Sequence, residues 1–441
     1  MSADISVHDV VIVGGGLAGL TAAYRLRRRD ILVLEKEDTP GGRTVSRKLG
    51  DYIYNLGAQV ILGNISPTAM LADELRVDRT LIEKSRLPIF FKDRLYSAAT
   101  QPGLLMKLPM SLGDKFKFVS SALEQRRKYG SLAGEPFDPK DPRVIELNAS
   151  TVDEFLGVAP PDVKALWEVF SKGASAVGID VITPYHPLMV LLLFLKDEYF
   201  VEGGTHQLSL ALHRVLGAKV KLKARVTEVR EIGGGVGVTY EQDGVLHRVR
   251  ADRCVVAVPA PAIEEFGATL PAEKRNLLGR VEYASQTTAA FLLNEPTGHF
   301  LRKGVWRIPV SNRKLCAVTD PTFTYSQDFI EQTGQGMLRV YTGDRVSKEL
   351  MQRPDDEVAG ILMNELVSLF PGVEGTVVQA DVAHWLHAAP LWKPGHTEIY
   401  RQLQVPTGKI HYCGDYTSPG FMNGAVLSGY RVVDEIDAAA S

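Results

Sequence analysis

The run Val10-Val11-Ile12-Val13 passes without interruption into Gly14-Gly15-Gly16-Leu17-Ala18-Gly19, and this junction constrains the chain more than any other stretch. Four consecutive apolar residues predict a strand buried on both faces. The glycines that follow are spaced G-x-G-x-x-G, which predicts a tight turn into a helix. Gly14 permits the turn and Gly16 lets the backbone come close to a pyrophosphate. Gly19 lets the helix pack closely on the strand, so that Leu17 and Ala18 lie at the positive end of the helix dipole. A dinucleotide is the ligand that such a junction serves.

The same glycine pattern also occurs in strand-turn-helix units that bind nothing, so its context has to decide. Leu20, Ala23 and Tyr24 share one helical face, and Arg25, Arg27, Arg28 and Arg29 crowd the helix end, where cations suit the dipole. A second apolar strand, Ile31 to Leu34, then ends in Glu35, with Lys36 beside it. An acid roughly 20 residues beyond the glycines is placed to accept hydrogen bonds from ribose hydroxyls. The loop that follows contains Pro40-Gly41-Gly42 and ends in Arg43, a cation available to the phosphates.

With 441 residues, the chain has length for two or three domains at about 150 residues each. A formal net charge of −2 leaves no electrostatic footprint for nucleic acid, and no nucleic-acid partner is expected. Cys254, Cys316 and Cys413 show no C-x-x-C spacing, and no cluster of His, Cys and acids has metal-ligand spacing. Neither a disulfide framework nor a metal is expected. Met1 to Asp9 lacks a basic and apolar leader, so a cytoplasmic location is expected. The longest apolar run, Pro187 to Leu195, falls far short of the ~20 residues that span a bilayer. It predicts a buried helix or the apolar rim of a substrate entrance, and membrane contact is not expected.

The glycine motif, the strand-end Glu35 and Gly41-Gly42-Arg43 together resemble the N-terminal signature of the flavin amine oxidase superfamily, which takes in monoamine oxidases, protoporphyrinogen oxidases and phytoene desaturase-like enzymes. Tyr54-Asn55-Leu56-Gly57-Ala58-Gln59 resembles the family segment beneath the flavin, although an acid often stands where this chain has Asn55. Near the C-terminus, Gly414-Asp415 and Gly424-Ala425-Val426 are similar to the family's second cofactor segment. The resemblance implies that Asp415 meets the ribityl-pyrophosphate region and that the backbone around Ala425 and Val426 meets the N1/C2=O edge of the ring. It also implies that Val226 binds adenine through its backbone, and that the helix start at Gly424 steadies negative charge at that edge.

The implied fold class is α/β, a Rossmann-like FAD-binding domain interleaved with an α+β substrate-binding domain. Breaks in pattern divide the chain into a first cofactor segment (1–75), a helical substrate segment (76–202), a second cofactor segment (203–262), a sheet-forming substrate segment (263–405) and a third cofactor segment (406–441). The implied activity is FAD-dependent: hydride passes from a C–N or C–C site of a small molecule to flavin N5, and electrons go on to oxygen or another acceptor. His384-Trp385 to Gly395-His396 resembles the W-x-x-A-x-P stretch of protoporphyrinogen oxidase-like members, which makes Trp392 the aromatic expected to face the flavin. Family amine oxidases carry a lysine where this chain has Thr288, and a cage tyrosine where it has Phe421. These departures point away from a standard primary-amine oxidase and toward porphyrinogen-like or atypical amine chemistry, with Trp392 and Phe421 as the substrate-facing pair. A protein that binds FAD for a structural, scaffold or isomerising role is the alternative of a different class.

Overall fold

A computed structural model describes residues 6–439 apart from 84–85, 134–136, 194–196, 302–304 and 312. The first five residues of the N-terminal stretch and the last two of the apolar run 187–195 therefore lie outside the described residues.

The uninterrupted apolar runs become the middle of a parallel sheet. Ser6–Val13 lies between Ile31–Leu34 and Val245–Val256, with Val220–Lys221 outside the former and Ile410–Tyr412 beside the latter. The strands Arg225–Ile232 and Gly235–Gln242 continue the sheet as an antiparallel meander. Val11, Ile12 and Val33 are wholly buried because both faces are covered, which is why no polar alternation marks these strands. The helices Leu17–Arg25, His206–Leu216 and Phe421–Ala438 cover one face. Gly429 makes their close approach possible: a Cβ there would stand 2.8 Å from the Ala18 carbonyl oxygen. The i, i+3, i+4, i+7 spacing of Leu208, Ala211, Leu212 and Val215 predicts one inward face; the first three pack inward, whereas Val215 is 53% exposed at the last turn.

A second, antiparallel sheet runs in the order Arg307–Pro309, Leu315–Thr319, Gly336–Thr342, Tyr283–Leu293, Val377–Pro390. The helix Asp355–Leu369 buries Val358, Leu362 and Leu366 on one of its faces. On the other face the hairpin Ser46–Leu49/Tyr52–Asn55 packs Tyr52 and Tyr54 against Ala290, Leu292 and Met337. Between Ala284 and Gln286 the pairing to the last strand jumps from Ala389 to Trp385. This bulge turns Leu386, His387 and Ala388 out of the ladder and toward the first domain.

A helical layer from Gln101–Lys107 to Tyr185–Leu193 closes the molecule around a core that includes Trp167, Tyr185, Leu188 and Trp392. The segment 76–202, expected as the helical part of the substrate domain, carries strands beside its helices. It forms the hairpin Leu87–Phe91/Arg94–Ala98, and the strands Arg79–Leu81 and Glu198–Val201 join Ile61–Leu62 in a small sheet. Short pairings at sheet edges carry too few residues to show a period-two pattern.

Candidate active site

The three layers enclose one cavity of about 1180 Å³, larger than the ~300–1,000 Å³ of ordinary small-molecule clefts. One end is built by the opening junction. Gly14 holds φ at +107° and ends the first strand, and the helix Leu17–Arg25 then starts at Gly16 with no side-chain cap. Its first N–H groups therefore lack an internal acceptor where Gly16, Leu17 and Ala18 line the cavity. A Cβ on Gly16 would meet nothing within 4 Å, whereas one on Gly19 would stand 2.1 Å from the Gly14 carbonyl oxygen. Gly16 is thus open for a ligand, and Gly19 is there for close helix packing.

Glu35 lines the same end and is 7% exposed. One carboxylate oxygen accepts the Gly15 N–H at 2.6 Å and the other the Glu37 N–H at 2.9 Å, so the acid also ties the glycine turn to its strand. Burial raises its pKa, against the pull of those two N–H groups and with Glu37 and Lys36 as smaller influences. Glu35→Ala should weaken FAD binding by about 1 to 3 kcal/mol, the range for hydrogen bonds to a charged group. Titration of the apoprotein with FAD checks this; unchanged affinity would leave the carboxylate serving the turn alone.

The middle of the cavity is organised by Arg43. Its Nη1 donates to Asp415 Oδ2 at 2.6 Å and to the carbonyls of His387 and Ala388 at 3.3 and 3.2 Å, the residues displaced by the bulge. Asp415, which follows Gly414 at φ +136°, also accepts the Tyr283 hydroxyl at 2.8 Å. Gly42, Gly57, Ala58 and Gln59 complete this wall, and a Cβ on Gly57 would run into the Arg43 carbonyl oxygen at 2.1 Å. Lys36 and Val226 line the cavity near Glu35's end.

The helix Phe421–Ala438 also begins uncapped at Gly420, and Phe421, Met422, Asn423 and Ala425 of its first turn line the far side. Phe421 adopts φ +58°, a conformation that a bulky residue rarely holds, and is 43% exposed at the cavity wall. Two uncapped helix starts, an arginine and an acid at a strand tip fit FAD: the first helix and Arg43 would suit its phosphates, Glu35 its ribose, and the second helix the electron-rich ring edge.

Four expected residues do not line the cavity. Gly19 sits behind it as a packing residue, Gly424 is closed by Ser418, whose Oγ a Cβ would meet at 2.5 Å, and Val426 is wholly buried in the first domain's core. Trp392 is likewise 0% exposed: it stacks on Tyr185 (5.4 Å) and His396 (4.5 Å), with Phe137 and His186 edge-on. The expectation that Trp392 faces the flavin is corrected by this placement, since His186 stands on the cavity wall in front of it. The cause is the end of the last strand at Pro390, after which the chain turns into the helical layer. Asn55 is a joint, accepting from the Ser46 hydroxyl (2.8 Å) and from the Thr205 N–H (2.8 Å) and hydroxyl (3.1 Å). Thr288 is buried and accepts Arg339 Nη2 at 3.0 Å.

Sequence reasoning missed His186, Trp385 and Arg339. His186 Nε2 donates to the Pro419 carbonyl at 2.8 Å, which leaves Nδ1 as an acceptor, and burial pushes the imidazole down to about 4, so it is neutral at pH 7. Trp385 lines the wall and donates its indole N–H to the Leu56 carbonyl at 3.0 Å. Arg339 is 1% exposed and donates to the carbonyls of Asn55 and Leu56 and to Tyr341 Oη. Its guanidinium, with no carboxylate within ion-pair distance among the described residues, holds the segment beneath the expected ring. Trp385 lies inside the tryptophan stretch whose spacing points to Trp392; the other two carry no local signal.

The aromatic stack has a pH consequence. Burial holds His396 down to about 3 and His186 to about 4, so both stay neutral in the folded protein while the unfolded chain protonates them near 6.5. Stability is therefore full above pH 6.5 and falls as pH drops toward 4. Asp320, which burial pushes up to about 6, takes its proton first in the folded state and offsets part of that loss. Among the described residues His396 Nε2 has no hydrogen-bond partner, so His396→Phe keeps the stack and removes one titration. The variant should lose about 2 kcal/mol less between pH 7 and 5 than the wild type. Thermal melts at both pH values test this; an equal loss would show that His396 titrates normally.

Comparison with known proteins identifies the family. The family model for flavin containing amine oxidoreductases matches residues 17–437. The flavin-containing amine oxidase B of Mus musculus is 25% identical over 473 residues, covering 97% of this chain and 86% of that protein. Coproporphyrinogen III oxidase of Mycobacterium bovis is 24% identical over 465 residues, covering 97% of this chain and 98% of that protein. Among solved structures, putrescine oxidase bound to putrescine superimposes with a TM-score of 0.81 at 19% identity, over 98% of this chain and 99% of that one. Cyclohexylamine oxidase from Brevibacterium oxydans gives 0.78 at 18% identity over the same shares, 98% and 99%. No helix among the described residues is long and apolar enough to cross a membrane. With the family model spanning nearly all of a cavity-lined α/β frame, the chain belongs to the flavin-containing amine oxidoreductase family and is an FAD-dependent oxidoreductase.

Proposed function

We propose that the substrate is a bulky, largely apolar molecule oxidised at a carbon next to nitrogen or within a reduced, hydrogen-rich ring system, and not a small primary amine. One observation carries this reading. Beyond the cofactor cradle the cavity continues into a lobe walled by Leu104, Leu105, Leu108, Phe118, Leu166 and Phe170. The carboxylates on the cavity wall are clustered around the cradle, at Glu35, Glu37, Asp38, Glu265 and Asp415, except Glu198, which Arg307 Nη2 engages at 3.0 Å. An ammonium entering the lobe would find no uncommitted counter-charge, and its desolvation would go uncompensated.

Bound FAD supplies the two-electron acceptor. The chain's own residues supply placement. Phe421 and Trp385 line the cavity with apolar rings, and His186, on the same wall, offers Nδ1 as a neutral acceptor for a substrate N–H without adding a charge that would repel a cation. The apolar walls exclude water from the reacting carbon. Glu35, Arg43 and Asp415 would hold the cofactor, with Gly42 to Gln59 forming the floor under the ring.

Anaerobic titration of the FAD-loaded protein against hydrophobic secondary and tertiary amines, porphyrinogens, polyenes and short primary amines tests the reading. Bleaching of the flavin absorbance by a bulky apolar compound is expected. Bleaching by short primary amines alone would overturn it.

A further inference from the structure

The helix Leu112–Tyr129 has two unlike sides. It starts at Ser111, whose hydroxyl accepts the Asp114 N–H at 3.1 Å, and turns Phe118 and Tyr129 toward the helical core. On its outer side Leu112 (75% exposed), Phe116 (73%), Val119 (41%) and Leu123 (61%) follow one another at i, i+4, i+7 and i+11. That spacing places all four within a narrow arc of the helix. Met106, 63% exposed on the preceding helix Gln101–Lys107, adjoins the stripe, because Lys115 Nζ donates to its carbonyl at 2.7 Å.

The charges around this stripe are one-sided. Lys115, Arg126 and Arg127 flank it by helical angle, and over 101–130 six cations (Lys107, Lys115, Lys117, Arg126, Arg127, Lys128) face two acids (Asp114, Glu124) in a chain whose net charge is −2. Lys128 is paired with Glu146, while Lys117, Arg126 and Arg127 form no ion pair among the described residues. The same two helices wall the apolar lobe from within, through Leu104, Leu105, Leu108 and Phe118. An exposed apolar stripe thus forms the outer skin of the substrate lobe.

We propose that this face lies on an anionic lipid surface, with the helix in the plane of the interface, Leu112, Phe116, Val119 and Leu123 sunk below the headgroups, and the basic side chains among them. An amphipathic helix rich in Lys and Arg beside an apolar face binds lipid without spanning it. The sequence expectation of no membrane contact rested on the lack of a spanning segment, which this mode does not need. Charge decides against a second copy of the chain as the occupant: pairing the face with itself would bring two positive rims together, whereas anionic headgroups complement them. The consequence for function, which rests on the apolar-substrate reading, is that substrate reaches the lobe from the bilayer side.

The test is co-sedimentation of the FAD-loaded full chain with vesicles of equal parts phosphatidylcholine and phosphatidylglycerol, and with vesicles of phosphatidylcholine alone. Binding to the mixed vesicles should be at least about tenfold tighter than to the neutral ones and should weaken in high salt. The double variant Phe116→Asp, Leu123→Asp should lose binding about tenfold or more while keeping its flavin absorbance and melting temperature, since both side chains are exposed. Arg126→Glu with Arg127→Glu should erase the preference for the anionic vesicles. Wild-type protein left in the supernatant with both vesicle types would overturn the proposal, as would Asp variants that sediment like the wild type. So would a dimer in light scattering that the Asp variants dissolve, without vesicle binding. Anaerobic reduction of the same Asp variants by a water-dispersed apolar substrate reads the lobe separately: reduction there with no vesicle binding in the wild type sinks the surface proposal and leaves the substrate reading standing.

Discussion

Gly16→Val is expected to give a folded, colourless protein. Gly16 sits at φ −72° and ψ 174°, extended backbone that any residue adopts, and a Cβ there meets no protein atom within 4 Å. The branching carbon of the added side chain therefore strains nothing in the apoprotein. It projects into the cavity at the uncapped helix start, where the phosphates would approach, and removes room for about two charge-assisted hydrogen bonds, or about 3 to 6 kcal/mol of FAD binding. Circular dichroism and melting temperature should match the wild type while the absorbance near the flavin bands is lost. Gly19→Ala is the control with the opposite cause: its Cβ would collide with the Gly14 carbonyl oxygen at 2.1 Å, so this variant should fail to fold. A yellow Gly16→Val protein would show that the phosphates pass elsewhere.

Trp392→Ala should cost roughly 3 to 5 kcal/mol of stability, the usual range for emptying a large aromatic site in a core. The ring is 0% exposed and is enclosed by Tyr185, His186, Phe137, His396 and Tyr400, so none of its neighbours is positioned to be replaced by water. The denaturant midpoint should fall accordingly, and the fraction that remains folded should be reduced by substrate at nearly the wild-type rate. A loss of about a hundredfold in the reduction rate with an unchanged midpoint would put the ring at the substrate after all, since that is the effect of misplacing a reacting carbon by ~1 Å.

The cofactor end of the molecule was legible because its chemistry is local. Gly14 to Gly19, Glu35 and Gly41 to Arg43 are each read within a few residues, and Gly16, Glu35, Gly42 and Arg43 come together on the wall of one cavity. Trp392 was misread because a motif gives the spacing of an aromatic along the chain and not the side of a strand end from which it leaves. His186 stands immediately before the apolar run 187–195, and its place depends on a hydrogen bond to Pro419, more than two hundred positions away in the sequence. Arg339 reaches Thr288 from the neighbouring strand, in a ladder where Thr288 pairs with Tyr341. No period or spacing along one segment encodes that cross-strand contact.

The central sheet also dictates when the protein can finish folding. Val10 to Val13 pair with Arg253 to Val256, and Cys254 to Val256 pair in turn with Ile410 to Tyr412, while the helix Phe421–Ala438 packs on Leu17–Arg25. During synthesis the first strand waits for a neighbour made some 240 positions later, and that neighbour waits for one made near the chain's end. Loop closure of this length is slow, and until it occurs the strand edges and apolar helix faces stay open to other chains. Nascent chains that stop before Ile410 should therefore be chaperone-dependent and prone to aggregate, and the cofactor cradle, which takes Asp415 and Ala425 from the segment after that strand, can assemble only once those residues have been made.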